Sequence, residues 1–138
     1  MVSYQGKDWT GKQELPYKAC ATENEIIHHK HLLYNADNCP GPVVVVVEGL
    51  FDCWRLGDHC GCTFGIGFTM AQVMFLAERF SRVFVLYDPE PKAQRKARQL
   101  VRALGGLGVD AKRISLEGYG DPGEMSNQDA ERLMEELK

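Results

Sequence analysis

The sequence predicts an α/β fold in which a four-stranded, mainly parallel sheet is flanked by helices and preceded by a small α+β N-terminal segment. Five consecutive valines, Val43–Val47, cannot alternate between core and water. They are therefore expected to form a central strand that is buried on both faces. From residue 43 onward, strand and helix patterns alternate in the order βαβαβαβα, which is typical of parallel strands joined by helical crossovers.

The other elements follow from hydrophobic spacing and from helix start and stop signals. The predicted strands after the first are 61–64, 83–87 and 109–116. The predicted helices are 52–56, 70–80, one that opens after Pro91 and ends at Gly105-Gly106, and one that follows Ser126. Ser126 and Asp129 have the form of a capping box for that last helix. Met70 and Met74 are expected to be core residues of the second helix.

Residues 1–42 are polar and rich in turn formers, and they give way to the valine strand at Pro40-Gly41-Pro42. The sequence therefore divides into an N-terminal segment, 1–42, and a domain, 43–138. Within the segment, 4–17 predicts a hairpin around Trp9-Thr10-Gly11. Residues 25–34 predict a short helix whose three histidines, His28, His29 and His31, are expected on an exposed polar face.

Composition excludes several classes of protein. The 138 residues carry 16 Lys+Arg against 19 Asp+Glu, so the chain cannot bind nucleic acid through bulk positive charge. The longest fully apolar run, Val43–Val47, is far shorter than the roughly 18 residues that predict a membrane span. The N-terminus has no apolar signal-peptide core, and five cysteines do not suggest a disulfide framework. We therefore expect a cytoplasmic protein with no membrane partner.

Acidic residues follow three of the predicted strands. They fall in 48–52, in 88–90 and in 120–124, and include Glu48, Asp52, Asp88, Glu90 and Asp121. Ligands of an open parallel sheet bind where the carboxyl ends of its strands meet. Carboxylates clustered there without histidine or thiolate partners suit Mg²⁺ or Mn²⁺ rather than zinc. The alternative, for any one cluster alone, is that these acids only cap helices or solvate turns.

Four motifs resemble those of the Toprim domain, and within that superfamily they are most similar to bacterial and phage DnaG-type primases. The motifs are Glu48-Gly49-x-x-Asp52, residues 65–69, Asp88-x-Glu90 and Gly120-Asp121-Pro122. The likeness extends upstream to Tyr4-Gln5-Gly6-Lys7, Pro16-Tyr17-Lys18 and Lys30-His31-Leu32-Leu33-Tyr34-Asn35. Two positions depart from the family pattern, which usually has Asp in place of Glu90 and often has a second acid in place of Gly123.

The resemblance implies a Rossmann-like Toprim fold and metal-dependent nucleotidyl transfer, as in the synthesis of RNA primers for DNA replication. Glu48 would be a general acid/base or metal ligand. Asp52 of the same motif, with Asp88, Glu90 and Asp121, would complete the ligands of a site for two Mg²⁺ or Mn²⁺ ions. Phosphodiester hydrolysis, as in Toprim nucleases, and a non-catalytic nucleic-acid-binding module are the alternatives.

The same resemblance implies partners. They are a single-stranded DNA template, nucleotides, and a zinc-binding or helicase domain or subunit. Lys7 and Lys18 in the upstream motifs, with Lys92, Arg95 and Lys96 on the helix after Pro91, are the candidate nucleic-acid contacts. Because that helix starts beside the second acidic cluster, its basic face can lead a nucleic-acid backbone toward the metals. A solvated helix face accounts for the same charges equally well.

Overall fold

The computed structural model describes residues 3–15, 17–116, 118 and 120–137. Its strands are β1 (Gln5–Lys7), β2 (Tyr17–Ala19), β3 (Val43–Val47), β4 (Cys60–Cys62), β5 (Arg82–Val85) and β6 (Asp110–Arg113). Its α-helices are α1 (Leu50–Leu56), α2 (Met70–Arg79), α3 (Pro91–Gly106) and α4 (Asn127–Leu137). Short 3₁₀ turns form at Thr22–Asn24, His29–His31, Ala36–Asn38 and Pro122–Glu124.

The main sheet has four strands in the order β4-β3-β5-β6, and every neighbouring pair is parallel. The predicted four-stranded sheet with a central valine strand is thereby confirmed. Strands β1 and β2 form a separate antiparallel pair, as the pattern of residues 4–17 predicts. All the crossovers of the main sheet pass through helices, so the carboxyl ends of its strands lie at one edge.

Alternate valines of β3 face two different apolar clusters. Val44 and Val46 pack with the inward residues of α2 and α3 on one side of the sheet. Val45 and Val47 pack with those of α1 and α4 on the other. The result is three layers, helices over sheet over helices, and it explains why β3 contains no polar residue.

Part of the N-terminal segment packs against the main sheet. Leu33, Ala36 and Cys39 belong to the same apolar cluster as Val44. Tyr34 donates its backbone N–H to the Cys62 carbonyl, at 3.1 Å, along the outer side of β4. These contacts attach residues 33–39 to the sheet, while the division of the chain into domains at residue 42 stays a prediction.

Two expectations about side chains are wrong. Met70 and Met74 are exposed rather than buried, because the inward face of α2 is formed by Val73 and Leu76. The histidine segment forms a 3₁₀ turn rather than the expected helix, and of its three histidines only His31 is exposed as expected. His28 and His29 are half-buried there, because both rings turn toward the Glu25 carboxylate.

Two observations bear on the chemistry available to the chain. All five cysteines are buried free thiols, and two of them, Cys60 and Cys62, lie within β4. Burial raises the pKa of Cys62 to about 12, so its thiol stays protonated at neutral pH. None of the helices in the described residues combines the length and hydrophobicity needed to cross a membrane.

We expect Leu76→Ala to destabilise the fold by about 2–5 kcal/mol, because it removes a large side chain from a close-packed core. Met70→Ala on the same helix should change the free energy of unfolding by less than about 0.5 kcal/mol. Leu76 is 0% exposed and Met70 is 67% exposed. Urea unfolding followed by circular dichroism measures both. Equal losses for the two variants would contradict this assignment of the core face of α2.

Candidate active site

The carboxyl ends of the sheet's strands open onto a cavity of about 660 Å³ whose wall includes a group of acidic residues. Glu48 follows β3 directly, Asp88 follows β5, and Asp121 lies in the loop after β6. The structure brings these three together with Asp52 and with Glu124, which was not among the predicted site residues. Glu90 does not line the cavity. It is exposed at the start of α3, although its charge still acts on Glu48 and Asp88.

Glu48 is held in place by the end of the neighbouring strand. Its Oε1 accepts a hydrogen bond from the Asp88 backbone N–H at 2.9 Å. Burial raises the pKa of Glu48 to about 7, and the charges of Asp88, Asp52 and Glu90 add to the effect. A carboxyl group with a pKa near 7 exchanges its proton readily at neutral pH, which is the property of a general acid or base.

Asp88 carries the clearest sign of a missing partner. Its Oδ1 is buried and accepts no hydrogen bond from the described residues. Burial raises the pKa of Asp88 to about 6, and the nearby charges of Asp52 and Asp121 add to the effect. Because a buried oxygen without a partner is costly, this atom is suited to bind a cation.

Asp52 ties two loops of the site together. Its Oδ2 accepts the Gly49 N–H at 3.2 Å, and its Oδ1 accepts the Gly123 N–H at 3.1 Å. Asp121 is held in a similar way, since its Oδ1 accepts the Glu124 N–H at 3.0 Å. A Cβ atom added at Gly123 would lie 3.0 Å from Asp121 Oδ1 and 3.1 Å from Asp52 Oδ1. Glycine at this position therefore lets the two loops approach closely.

The acidic residues fit a magnesium-type ion. All of them offer hard oxygen ligands, and Asp88 Oδ1 has no hydrogen-bonding partner among the described residues. No three of these acids, however, place oxygens all within 4.8 Å of one another in the described part of the chain. This spacing suits Mg²⁺, which usually keeps several waters and binds one or two carboxylates together with substrate phosphates.

Lys30 supports the site by holding the loop that follows β4, and sequence reasoning missed this role. The side chain is half-buried, and its Nζ donates to the carbonyls of Thr63, Phe64 and Gly67, at 3.0, 2.6 and 2.8 Å. The loop it holds contains two residues with positive φ, Phe64 at 57° and Gly65 at 103°. Gly65 in turn donates its N–H to the Glu48 carbonyl at 2.6 Å.

The predicted nucleic-acid contacts are distributed over several surfaces. Lys7 lines the acidic cavity, with its ammonium 4.3 Å from the centre of the Phe51 ring. Lys18 lines a different groove beside the β1–β2 hairpin. On α3, Lys92 and Arg95 are exposed, whereas Lys96 is half-buried with its ammonium 6.0 Å from the Phe68 ring. Of the five, Lys7 is therefore the one in the cavity wall.

Exposed aromatic residues adjoin the cavity and were not predicted. Phe51 and Trp54 lie on α1 with ring centroids 5.1 Å apart, and Trp54 is 60% exposed. Trp54 Nε1 donates to the Tyr34 hydroxyl at 2.7 Å, which fixes the indole on the surface. The only sequence signal for this pair of exposed rings is that two aromatic residues lie three positions apart on a short helix. Exposed rings fixed beside a polar cavity are suited to stacking on planar groups.

Comparison with known structures identifies the architecture. The chain superposes on the E. coli primase catalytic core with a TM-score of 0.81 at 19% identity, covering 99% of this chain and 47% of that one. For the zinc-binding and RNA polymerase domains of Aquifex aeolicus primase, the TM-score is 0.80 at 20% identity, with coverages of 99% and 37%. A DnaG primase catalytic domain bound to single-stranded DNA gives 0.78 at 19%, with coverages of 98% and 47%.

The fold is therefore that of DnaG-type primase catalytic cores, and the predicted Toprim-like architecture is confirmed. The chain spans less than half the length of these three structures. No protein-family model and no curated protein sequence matches the chain.

Without divalent cations, the free energy of unfolding should fall as pH rises from about 4.5 to about 7. The pKa values of Glu48 and Asp88 rise from 4.5 to about 7 and from 3.8 to about 6, so the folded state binds protons more tightly than the unfolded state. This stabilisation is complete below the unfolded pKa values and is lost as pH passes the folded ones. The lowered pKa values of Asp8 and Glu25, about 2 each, act below this window.

Urea unfolding at a series of pH values, in the presence of a chelator, measures this dependence. Glu48→Gln should flatten it, because the amide does not titrate. Glu78→Gln provides the matched control, since Glu78 is exposed on α2. A profile with the same slope in Glu48→Gln as in the wild type would contradict the raised pKa of Glu48.

Proposed function

We propose that this chain is the Toprim catalytic part of a DNA primase-like nucleotidyltransferase, with residues 43–138 as the catalytic domain and 1–42 as its N-terminal segment. The observation that carries the proposal is the convergence of Glu48, Asp88 and Asp121 on one cavity, at the carboxyl edge of a parallel sheet. The fold shared with primase catalytic cores supports the same reaction class.

Glu48, Asp52, Asp88 and Asp121 are the proposed residues for holding Mg²⁺ or Mn²⁺, and Glu90, outside the cavity wall, would contribute through its charge. A divalent ion bound there would make a hydroxyl a better nucleophile and would neutralise charge on the phosphates. The chain's own acids differ in their roles. Asp88, with its buried oxygen lacking a hydrogen-bonding partner, is the principal ligand. Asp52, with both oxygens engaged by backbone N–H groups, mainly holds the two loops together.

Glu48 is the proposed general base. In the absence of metal, burial raises its pKa to about 7. Its carboxylate would accept the proton of a primer 3′-hydroxyl or of a nucleotide's 3′-hydroxyl. The hydrogen bond from the Asp88 N–H keeps the carboxylate oriented while this happens. The Lys30-braced loop at Gly65 supports the Glu48 backbone from the other side.

A single-stranded DNA template would approach from the α1 side of the cavity. Phe51 and Trp54 offer stacking surfaces for bases, and Lys7 offers a charge for a phosphate at the cavity wall. Lys18, Lys92, Arg95 and Lys96 would contact the backbone farther out. One of the similar structures is a DnaG primase catalytic domain bound to single-stranded DNA, which supports this type of ligand.

The proposal also includes the substrates and the partners of the chain. A primase needs nucleotides as substrates, and a zinc-binding domain accompanies the polymerase domain in the Aquifex aeolicus structure. We therefore propose a zinc-binding or helicase domain or subunit as partner. Cytoplasmic location, suggested by the five unpaired thiols, completes the proposal.

Mg²⁺ or Mn²⁺ should raise the melting temperature of the protein, and Asp88→Asn should remove most of that increase. A ligand bound only by the folded state stabilises it by about 2.7 kcal/mol at a hundredfold excess over its Kd. Asp110→Asn is the matched control, because Asp110 pairs with Arg82 at the start of β6, away from the cavity. Equal metal-induced shifts in Asp88→Asn and in the wild type would exclude Asp88 as a ligand.

Glu48→Gln should reduce phosphoryl transfer by about 10²–10⁴-fold, which is the usual contribution of a general acid or base. The amide keeps the shape of the side chain and an oxygen to accept the Asp88 N–H, so the fold should survive. The assay measures primer synthesis with nucleotides, single-stranded template and Mn²⁺, with a primase zinc-binding domain supplied in trans. Glu78→Gln is the control and should retain full activity.

The outcomes separate three functions. Extension of a primer by the wild type supports the primase-like reaction, cleavage of the oligonucleotide supports a Toprim nuclease, and neither reaction supports a binding module. Full activity in Glu48→Gln alongside an active wild type would overturn the proposed role of Glu48 and leave the fold unaffected.

A further inference from the structure

Three ligand-bearing side chains meet outside the acidic cavity. Glu25, His28 and His29 each offer one ligand atom, and these atoms all lie within 4.8 Å of one another. In the described part of the chain this is the one such trio of His, Cys, Asp or Glu residues. None of the three lines the acidic cavity. We propose that they bind a divalent transition ion of the zinc class at a second, separate site.

The Glu25 carboxylate is buried with one oxygen unused. Its side chain is 1% exposed. Oε1 accepts a hydrogen bond from the Ser3 hydroxyl at 2.5 Å and lies 2.7 Å from His29 Nδ1, a nitrogen that would be without its proton when it binds the ion. Oε2 is buried and accepts no hydrogen bond from the described residues. An ionised carboxylate therefore presents a free oxygen to the two imidazoles.

His28 faces that free oxygen at a separation that suits a shared metal ion. Its Nδ1 lies 3.3 Å from Glu25 Oε2 without forming a hydrogen bond. Two ligands on a tetrahedral zinc ion, with bonds of about 2.0–2.1 Å, are about 3.3 Å apart. His28 Nδ1 accepts the Lys30 N–H at 3.2 Å, so this nitrogen carries a lone pair rather than a proton, and the ion would take that lone pair in place of the Lys30 hydrogen bond.

The ligand set selects the class of ion. Two imidazole nitrogens and one carboxylate favour Zn²⁺ and its neighbours over Mg²⁺ or Ca²⁺, which prefer oxygen. Three protein ligands leave a fourth position for water. The five cysteines do not compete, because all are buried and the pKa values of Cys39 and Cys62 are raised by burial to about 11 and about 12.

The proposed ion would indirectly stabilise the loop at residues 63–67, which Lys30 holds. His29 is followed by Lys30, whose Nζ holds the carbonyls of Thr63, Phe64 and Gly67. Fixing the His29–His31 turn to Glu25 would hold the backbone from which Lys30 reaches that loop. The ion would therefore act on the candidate active site only through the backbone, since His29 directly precedes the lysine that supports it.

Binding is tested by calorimetric titration of the full chain with Zn²⁺ in excess Mg²⁺, so that hard oxygen sites are already filled. We expect one equivalent of Zn²⁺ to bind, and Co²⁺ to bind with the spectrum of a nitrogen–oxygen site and no thiolate charge-transfer absorption. His28→Asn should weaken binding at least about 100-fold, since even the loss of an outer-shell partner typically costs 10–100-fold. Asparagine keeps an acceptor for the Lys30 N–H and is a good N-cap residue, so the turn is preserved.

His59→Asn is the matched control, because His59 lies outside the trio and has a φ of 68°, which asparagine tolerates. It should bind Zn²⁺ as the wild type does. Glu25→Gln provides a second variant, and its melting temperature should no longer respond to Zn²⁺. Unchanged affinity in His28→Asn, an equal loss in His59→Asn, or thiolate absorption with Co²⁺ would each overturn the proposal.

Discussion

Both faces of β3 are buried, so a five-residue strand requires a helical layer on each side of it. That requirement places α2 and α3 on one face and α1 and α4 on the other. It also places Glu48, the next residue after the strand, where the two layers and the sheet edge meet. A carboxylate at such a point loses much of its hydration, and the raised pKa of Glu48 is the direct result.

The acids of the cavity are positioned by backbone N–H groups rather than by cationic side chains. Asp88 N–H binds Glu48, Gly49 and Gly123 N–H groups bind Asp52, and the Glu124 N–H binds Asp121. Backbone donors fix the carboxylates without cancelling their charges. The cavity therefore keeps a concentrated negative charge in defined positions, which is the condition for attracting a divalent cation and then the phosphates it accompanies.

Sequence reasoning succeeded where a local pattern has only one tertiary solution. Five valines in a row require two-sided burial, and an acid directly after a parallel strand must lie at the carboxyl edge of the sheet. The burial of β3 on both faces and the position of Glu48 at the sheet edge follow from these two facts. The loop at residues 120–124 also lies at this edge, as predicted, although Glu124 within it was not singled out.

The features that escaped prediction depend on which distant segments meet. Met70 and Met74 have helical spacing, but that spacing does not say which side of α2 the sheet will cover. Nothing in the sequence distinguishes the role of Lys30 from that of the other lysines. Its role depends on the loop at Phe64, whose carbonyl accepts a hydrogen bond from the Lys30 ammonium. Glu25 and His28 are close in sequence, but the sequence does not show that the Glu25 carboxylate is buried with Oε2 lacking a hydrogen bond from the described residues.

The outer side of β4 is closed by the backbone of Tyr34, and β6 is the last strand at the other end of the sheet. A strand at a sheet edge is a template for pairing with another chain, and proteins discourage this with charges and short edge strands. β6 has four residues, of which Asp110, Lys112 and Arg113 are charged. The two edges are thus protected by different means, one by a covering segment and one by charge. Extension of the sheet by another chain is therefore disfavoured at both edges.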